Sequence, residues 1–263
     1  DVASPQAALA DMSVSARRLN RWIGLVVIGL ILAPLLAVAG GAAWLRTIAV
    51  AEGRARLAEV LAMTAHHTDT VFQVNGEIAR QVALAAEDLG AEALRLDARL
   101  HGRLSEMAAR HAHVTAIAVT DRDGRVLVHS GAFPAPDEAR LVLPDLAGLA
   151  AGGWQAVALT PPRHDPVAGV VAFGLAVPRF EAGRVAGAVV VETATDYLQN
   201  AYGGLAPVSD FVVGWIDREG WVLSRRPRLD EPVRLDRATG HLGALAAGAT
   251  EGQFEETSPI DGV

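Results

Sequence analysis

Residues Trp22–Leu45 read WIGLVVIGLILAPLLAVAGGAAWL, an apolar run without a single charged side chain. As a helix rising about 1.5 Å per residue, a run of this length crosses the roughly 30 Å hydrocarbon core of a bilayer. Trp22 and Trp44 stand at its two ends, where indole rings favour the headgroup layer, and Arg17, Arg18 and Arg21 crowd its N-terminal side. Basic flanks stay cytoplasmic, which sends residue 46 onward across the membrane. A second reading of the same residues stays open. Ala37-Val38-Ala39 before Gly40 resembles a small-residue cleavage site, with the arginines and the run to Leu36 as the first two regions of a secretory signal. Against it, the apolar character continues past Ala39 to Leu45, longer than an ordinary signal core. Either reading exports the rest of the chain.

That exported remainder is long enough for an extended helix and one or two small domains. It contains no cysteine, so a disulfide framework, a thiolate metal site and a cysteine nucleophile are all excluded. Net charge is −7 and no basic block follows the apolar run, which argues against a nucleic-acid partner.

From about Thr47 to Arg110 the apolar residues recur at three- and four-residue steps: Leu57, Val60, Leu61, Thr64, Val71, Val74, Ile78, Val82, Ala85 and Leu89. The pattern predicts a long amphipathic helix, with a possible break at Gly90 and a further stripe of Leu96, Leu100, Leu104 and Met107. Strand signals follow. Val114–Thr120 and Arg125–Ser130 flank Asp121-Arg122-Asp123-Gly124, a hairpin pattern. Further strands are expected at Trp154–Leu159, Gly169–Val177 and Val185–Glu192, the last two joined through Arg179–Arg184. A helix over Thr195–Leu205 leads to a second hairpin, Phe211–Ile216 and Trp221–Ser224 about Asp217-Arg218-Glu219-Gly220.

The two hairpins match register for register. Asp121-Arg122-Asp123-Gly124-Arg125-Val126-Leu127 answers to Asp217-Arg218-Glu219-Gly220-Trp221-Val222-Leu223. A repeat at this distance points to two related domains rather than a solenoid, whose units run about 20–50 residues. A helix over Thr239–Ala247 and a strand over Gly252–Thr257 would belong to the second copy, which ends inside another turn at Asp261-Gly262-Val263.

With this order of elements, residues 20–263 resemble the double Cache (tandem PAS-like) sensor region of a bacterial membrane receptor. The resemblance rests on AIAVTDRDGRVLVHS, AVPRFEAGRVAGAVVVETATDYL, VVGWIDREGWVLSRRP and EGQFEETSPIDGV. It implies an α+β fold: a transmembrane helix, a long amphipathic helix, then tandem PAS-like antiparallel sheets with the second one truncated. The expected organisation is a cytoplasmic tail over 1–21, the transmembrane helix over 22–45, a long extracytoplasmic helix over 46–112, a membrane-distal module over 113–193, an inter-domain helix over 194–207 and a membrane-proximal module over 208–263. It also implies residence in the inner membrane, with residues after about 46 in the periplasm, a homodimer, and a small-molecule ligand or periplasmic partner. Continuation into a cytoplasmic output domain is implied as well: a histidine kinase of a two-component system, or alternatively a diguanylate cyclase or chemoreceptor region. A secreted binding protein is the alternative if cleavage occurs near Ala39.

The catalytic classes find no support in the residues. Ser130, Ser209 and Ser224 have no His/Asp partners at motif spacing, and the glycines sit at turns rather than in a phosphate-binding pattern. Neither a cofactor nor a metal is expected. His66 and His67 adjoin on a helix, where successive side chains point about 100° apart, so with His111 and His113 they do not mark one ion. The two Asp-rich turns lack the alternating oxygens and distal glutamate of a calcium loop. For ligand binding, the resemblance places Glu192 where amino-acid-binding relatives hold an ammonium group. Where those relatives hold the ligand carboxylate with Arg, Trp and Tyr, this chain has RHDPVAG. Arg179 is a candidate for an anionic group, and Trp154 and Phe173 for an apolar wall. Each also has a structural reading, as a hairpin ion pair or a core aromatic.

Overall fold

The computed structural model describes residues 5–165, 168–205, 212–229, 231–236, 242, 243 and 260, with the side chains of 5–21, 23, 24, 26, 154 and 202–205 outside the description. The chain divides into two compact units, Asp1–Leu61 and Ala62–Val263. One helix, α1, runs Pro5–Ala85. Its portion in the first unit carries the uncharged run, long and apolar enough to cross a membrane and exposed throughout its apolar window.

In the second unit α1 buries Thr64, Thr68, Val71, Asn75, Ile78, Ala79, Val82 and Ala83, at the three- and four-residue spacing of one helix face, and Ala86 is buried just past its end. Leu57 and Leu61, expected on the same stripe, are exposed. The long helix expected over 46–112, with its break at Gly90, is three helices. After α1 the chain turns at Asp88, whose φ is 61°, and resumes as α2 (Ala91–Arg95) and α3 (Ala98–Ala109). Gly90 is the N-cap of α2, and Asp97 caps α3 by accepting from the Arg99 and Leu100 amides. Leu94 takes the buried place expected of Leu96, which is exposed.

Six strands form one antiparallel sheet: β1 (Val114–Thr120), β2 (Val126–His129), β3 (Ala158–Leu159), β4 (Arg163–Asp165), β5 (Val170–Glu181) and β6 (Arg184–Ala194). Their order is β2-β1-β6-β5-β3, with β4 also pairing β5. The run expected from Trp154 is a strand only at its end, since Gly153–Gln155 is a 3-10 turn after α4 (Leu146–Ala151). The loop expected over Arg179–Arg184 is a two-residue turn, with Ala182 (φ 49°) and Gly183 (φ 73°) both left-handed, as the twist of a tight hairpin requires.

Both faces of the sheet are covered, which explains the near-continuous burial along β5 and β6. On one face Ile117, Val119, Leu175, Val177, Val189 and Val191 pack against Ile78, Val82, Leu94 and Leu104 of the helices. On the other, Ala118, Val126, Ala176, Ala188 and Val190 pack beneath Ala135 and Leu141. Helix α5 (Thr195–Leu205) follows β6, and β7 (Val213–Ile216) pairs with β8 (Val222–Arg226). The helix expected over Thr239–Ala247, apart from Leu242 and Gly243, and the strand over Gly252–Thr257 lie outside the described residues.

The repeat is exact in backbone bonding. Asp121 Oδ1 accepts from the amides of Asp123 and Arg125, and Asp217 Oδ1 from those of Glu219 and Trp221, at 2.8–2.9 Å. Each strand pair bulges at the same place, between Val119/Thr120 and between Trp215/Ile216. The equivalence extends beyond the hairpins: Leu141 N donates to Gly124 O and Leu235 N to Gly220 O, both at 2.8 Å. Arg140 then reaches Asp123 O as Arg234 reaches Glu219 O. The two turns are thus side-chain-capped hairpin corners. Gly124 is required in the first, because its φ is 77° and a Cβ there would lie 2.1 Å from Leu141 O.

Candidate functional site

Glu192 lies near the end of β6, opposite Gly174 of β5 and Ala116 of β1. Strand alternation puts it on the face of Val190 and Ala188, away from the helices. Close packing excludes a side chain at Gly174: a Cβ at that position would meet Val190 Cγ1 at 2.4 Å and Thr160 Oγ1 at 2.9 Å. The carboxylate is buried, with a side chain only 2% exposed. Arg163 of β4 donates to Glu192 Oε1 at 2.6 Å, while Oε2 is buried without a hydrogen-bond partner.

Two further buried side chains complete the group. Ligand atoms of His129, Asp165 and Glu192 all lie within 4.8 Å of one another. β4 supplies Arg163 and Asp165, and His129, the last residue of β2, pairs with Ala118 and so shares its face. Burial pushes the Glu192 carboxyl above its ordinary value, with Arg163 opposing the shift and Asp165 adding to it. Burial also holds the His129 imidazole below its ordinary value, against the pull of Asp165.

The trio has the donor types of a metal site, but the tautomer of His129 works against that use. Gly131 N donates to His129 Nδ1 at 3.0 Å, which leaves the ring proton on Nε2, so the neutral ring offers a donor there instead of a lone pair. With Oε1 already held by Arg163, the arrangement is an acid pair served by one guanidinium and one neutral imidazole. An organic cation or ammonium group suits a buried carboxylate oxygen that has no hydrogen-bond partner, and that oxygen is Glu192 Oε2.

The other residues expected from the sequence do not gather here. Arg179 sits five positions along β5 from Gly174, roughly 17 Å at strand spacing. It is 1% exposed, and its guanidinium donates to Leu89 O and Ala186 O, both at 3.1 Å, with Glu181 Oε2 at 3.6 Å. Its bonds join the loop after α1 to the β5–β6 hairpin. Phe173 is on the helix face, edge-on to Phe72 with centroids 6.1 Å apart, and so on the opposite side of the sheet from Glu192. Trp154 lies in the 3-10 turn, its side chain outside the described residues. An open cleft of about 780 Å³, lined in part by Arg122, Asp123, Leu141, Arg184 and Val185, opens near the far end of β6. Val185 is seven residues from Glu192, roughly 24 Å along the strand.

Sequence reasoning missed Arg163, Asp165 and His129. The charged triplet Arg163-His164-Asp165 ahead of an apolar strand was the available signal, but only the pairing with β5 brings it to Glu192.

No protein-family model matches the chain, and no curated protein matches it in sequence. Solved structures match the architecture. The extracellular domain assigned to a histidine kinase, rpHK1S-Z16, aligns with a TM-score of 0.50 at 19% identity, over 62% of this chain and 67% of that one. The fold is shared with that extracellular domain. Weaker likenesses include the ligand-binding domain of the Campylobacter jejuni chemoreceptor Tlp3 in complex with L-norvaline, with a TM-score of 0.48 and 16% identity over 73% of this chain and 76% of that one. The ligand-binding domain of the Pseudomonas aeruginosa PAO1 amino acid chemoreceptor PctC, in complex with GABA, aligns with a TM-score of 0.45 and 15% identity over 64% of this chain and 74% of that one. In this fold the acid cluster lies on the sheet face away from α1.

Proposed function

We propose that the chain is the ligand-sensing and signalling portion of a bacterial membrane receptor, held in the inner membrane by Trp22–Leu45 with the sensor fold on the periplasmic side. The ligand class is a small molecule with a cationic amine, and the observation that carries this is the buried Glu192 carboxylate with one oxygen unpartnered beside Asp165. The fold likeness to a histidine kinase's extracellular domain supports a kinase as the output. Helix α1, common to the membrane-length run and the sheet-packed stripe, is the element that would report a change at the sheet.

The test is thermal-shift screening of the detergent-solubilised chain against a panel of amines, amino acids and organic acids. A stabilising amine whose effect disappears in Glu192→Gln and persists in Arg179→Met is the expected result. Stabilisation confined to organic acids, or an amine effect that survives Glu192→Gln, refutes the assignment.

A further inference from the structure

Three histidines outside the acid cluster gather where α1, the entry to β1 and α5 meet. His67 comes from α1, His111 and His113 from the segment between α3 and β1, and Tyr197 from α5. The Tyr197 ring stacks on His67 with centroids 6.0 Å apart and an interplanar angle of 26°, and lies 5.5 Å from His113. His111 is in turn 5.7 Å from His113.

The ring nitrogens show how this joint is built. His111 Nδ1 donates to Met107 O at 2.9 Å. His113 Nε2 donates to Asn75 Oδ1 at 3.0 Å, and Asn75 Nδ2 passes the chain on to Thr193 Oγ1 at 2.8 Å, in the buried seam between α1 and β6. His67 Nε2 is buried without a hydrogen-bond partner. Unlike His129, Asp165 and Glu192, the three rings do not bring ligand atoms within 4.8 Å of one another, which disfavours a shared metal ion.

Charged groups on the surrounding elements are engaged elsewhere. Asp69 of α1 accepts from Gln73, Glu106 of α3 pairs with Arg110, and Asp196 of α5 pairs with Arg228. The charges acting on His113 come from His111 and His67, and no carboxylate is among them in the described residues. A second proton on His113 must go to Nδ1, since Nε2–H is already donated to Asn75. It would there face imidazole neighbours in a partly dry setting.

We propose that His67, His111 and His113, packed about Tyr197, form a proton-sensing joint that loosens the seating of α5 as the exterior acidifies. Helix α5 also meets the second hairpin, where Ser224 Oγ donates to Thr195 O at 3.3 Å, so the joint links the first sheet to β8. Protons would then be an input separate from any ligand at Glu192, because the joint shares no residue with the acid cluster. Burial first, and then His111 and His67, hold the His113 pKa below its ordinary value of 6.5. The joint is therefore intact at neutral pH and is opposed by protonation below it.

The test is a ring-shift titration of the micelle-bound chain labelled with ¹³C-histidine and ¹³C-tyrosine, from pH 8 to 5. His113 should titrate below the free-imidazole value near 6.5, its midpoint should rise in His67→Gln and in His111→Gln, and Tyr197 should shift with the same midpoint. A His113 midpoint at or above the free value overturns the proposal, as does a midpoint indifferent to both substitutions or a Tyr197 that does not respond. Midpoints that move on adding Zn²⁺ or a chelator place a metal there and overturn it too. His113→Gln, which keeps a donor for Asn75, should fold and abolish the Tyr197 response. If that variant does not fold, the wild-type and His67→Gln titrations decide alone.

Discussion

Arg163→Ala isolates the electrostatics of the acid cluster. The Arg163–Glu192 pair is 2.6 Å long, with side-chain exposures of 29% and 2%. Truncating one partner of a fully buried pair costs about 3–5 kcal/mol, while exposed pairs are worth about 0–1 kcal/mol. This half-sheltered pair falls between, at about 2–3 kcal/mol, or roughly 5–10 °C in Tm for a unit of this size. The pH dependence is more diagnostic. The folded Glu192 carboxyl has its pKa raised above the ordinary 4.5, so its protonated form is favoured in the fold. Stability from that group is present below the unfolded value and is lost as pH rises through the folded one. Removing Arg163, which opposes the upward shift, raises the folded value further. The Tm deficit of Arg163→Ala relative to wild type should therefore be small at pH 5 and grow toward pH 8. Glu192→Gln added to Arg163→Ala should recover much of the loss at pH 8, giving a coupling of about 1–3 kcal/mol in the double-mutant cycle. Thermal unfolding of the four proteins at pH 5, 6, 7 and 8 makes the measurement. A deficit equal at all four pH values, or strictly additive substitutions, refutes the view of Glu192 as a buried charge dependent on Arg163.

Two other substitutions separate architecture from recognition. Arg179→Met removes the donors to Leu89 O and Ala186 O, leaving sheltered carbonyls unsatisfied, and should cost roughly 2–4 kcal/mol in thermal or denaturant unfolding while amine-induced stabilisation remains. Asp121→Ala and Asp217→Ala each remove two side-chain acceptors from backbone amides and should cost about 1–2 kcal/mol, whereas the Asn variants, which keep the accepting oxygen, should lie close to wild type by the same assay.

Much of the architecture was legible because it depends on local chemistry. An uncharged run between two tryptophans, a three-to-four residue stripe and Asp-Gly turns between β-rich segments each declare themselves within a few residues. The errors came where tertiary packing decided. Leu57 and Leu61 fit the helical period of α1 but are exposed, as is Leu96 after α2, while Thr68 and Asn75, absent from the expected stripe, are buried on α1. Arg179 and Phe173 were reasonable candidates by type and position, yet strand alternation and distance separate both from Glu192. The acid cluster joins residues 129, 163, 165 and 192 through sheet register, and the histidine joint draws on residues 67, 111, 113 and 197. Neither leaves a spacing motif in the chain.

The duplication separates what the two copies share from what they do not. Both corners keep the same Asp-capped turn, the same bulge and the same returning segment, so backbone geometry is what the two copies share. Side chains differ at equivalent positions. His129 pairs with Ala118 in the first copy, and Arg225 pairs with Gly214 in the same register of the second. Where the first copy sets a neutral imidazole beside two carboxylates, the second sets a buried guanidinium that donates to Pro227 O at 3.1 Å. The proposed cationic ligand suits the carboxylates of the first position. β4 then adds Asp165 and the Arg163 counter-ion beside Glu192 in the first sheet, the arrangement on which the proposed amine site rests, while the corner common to both copies fixes the fold.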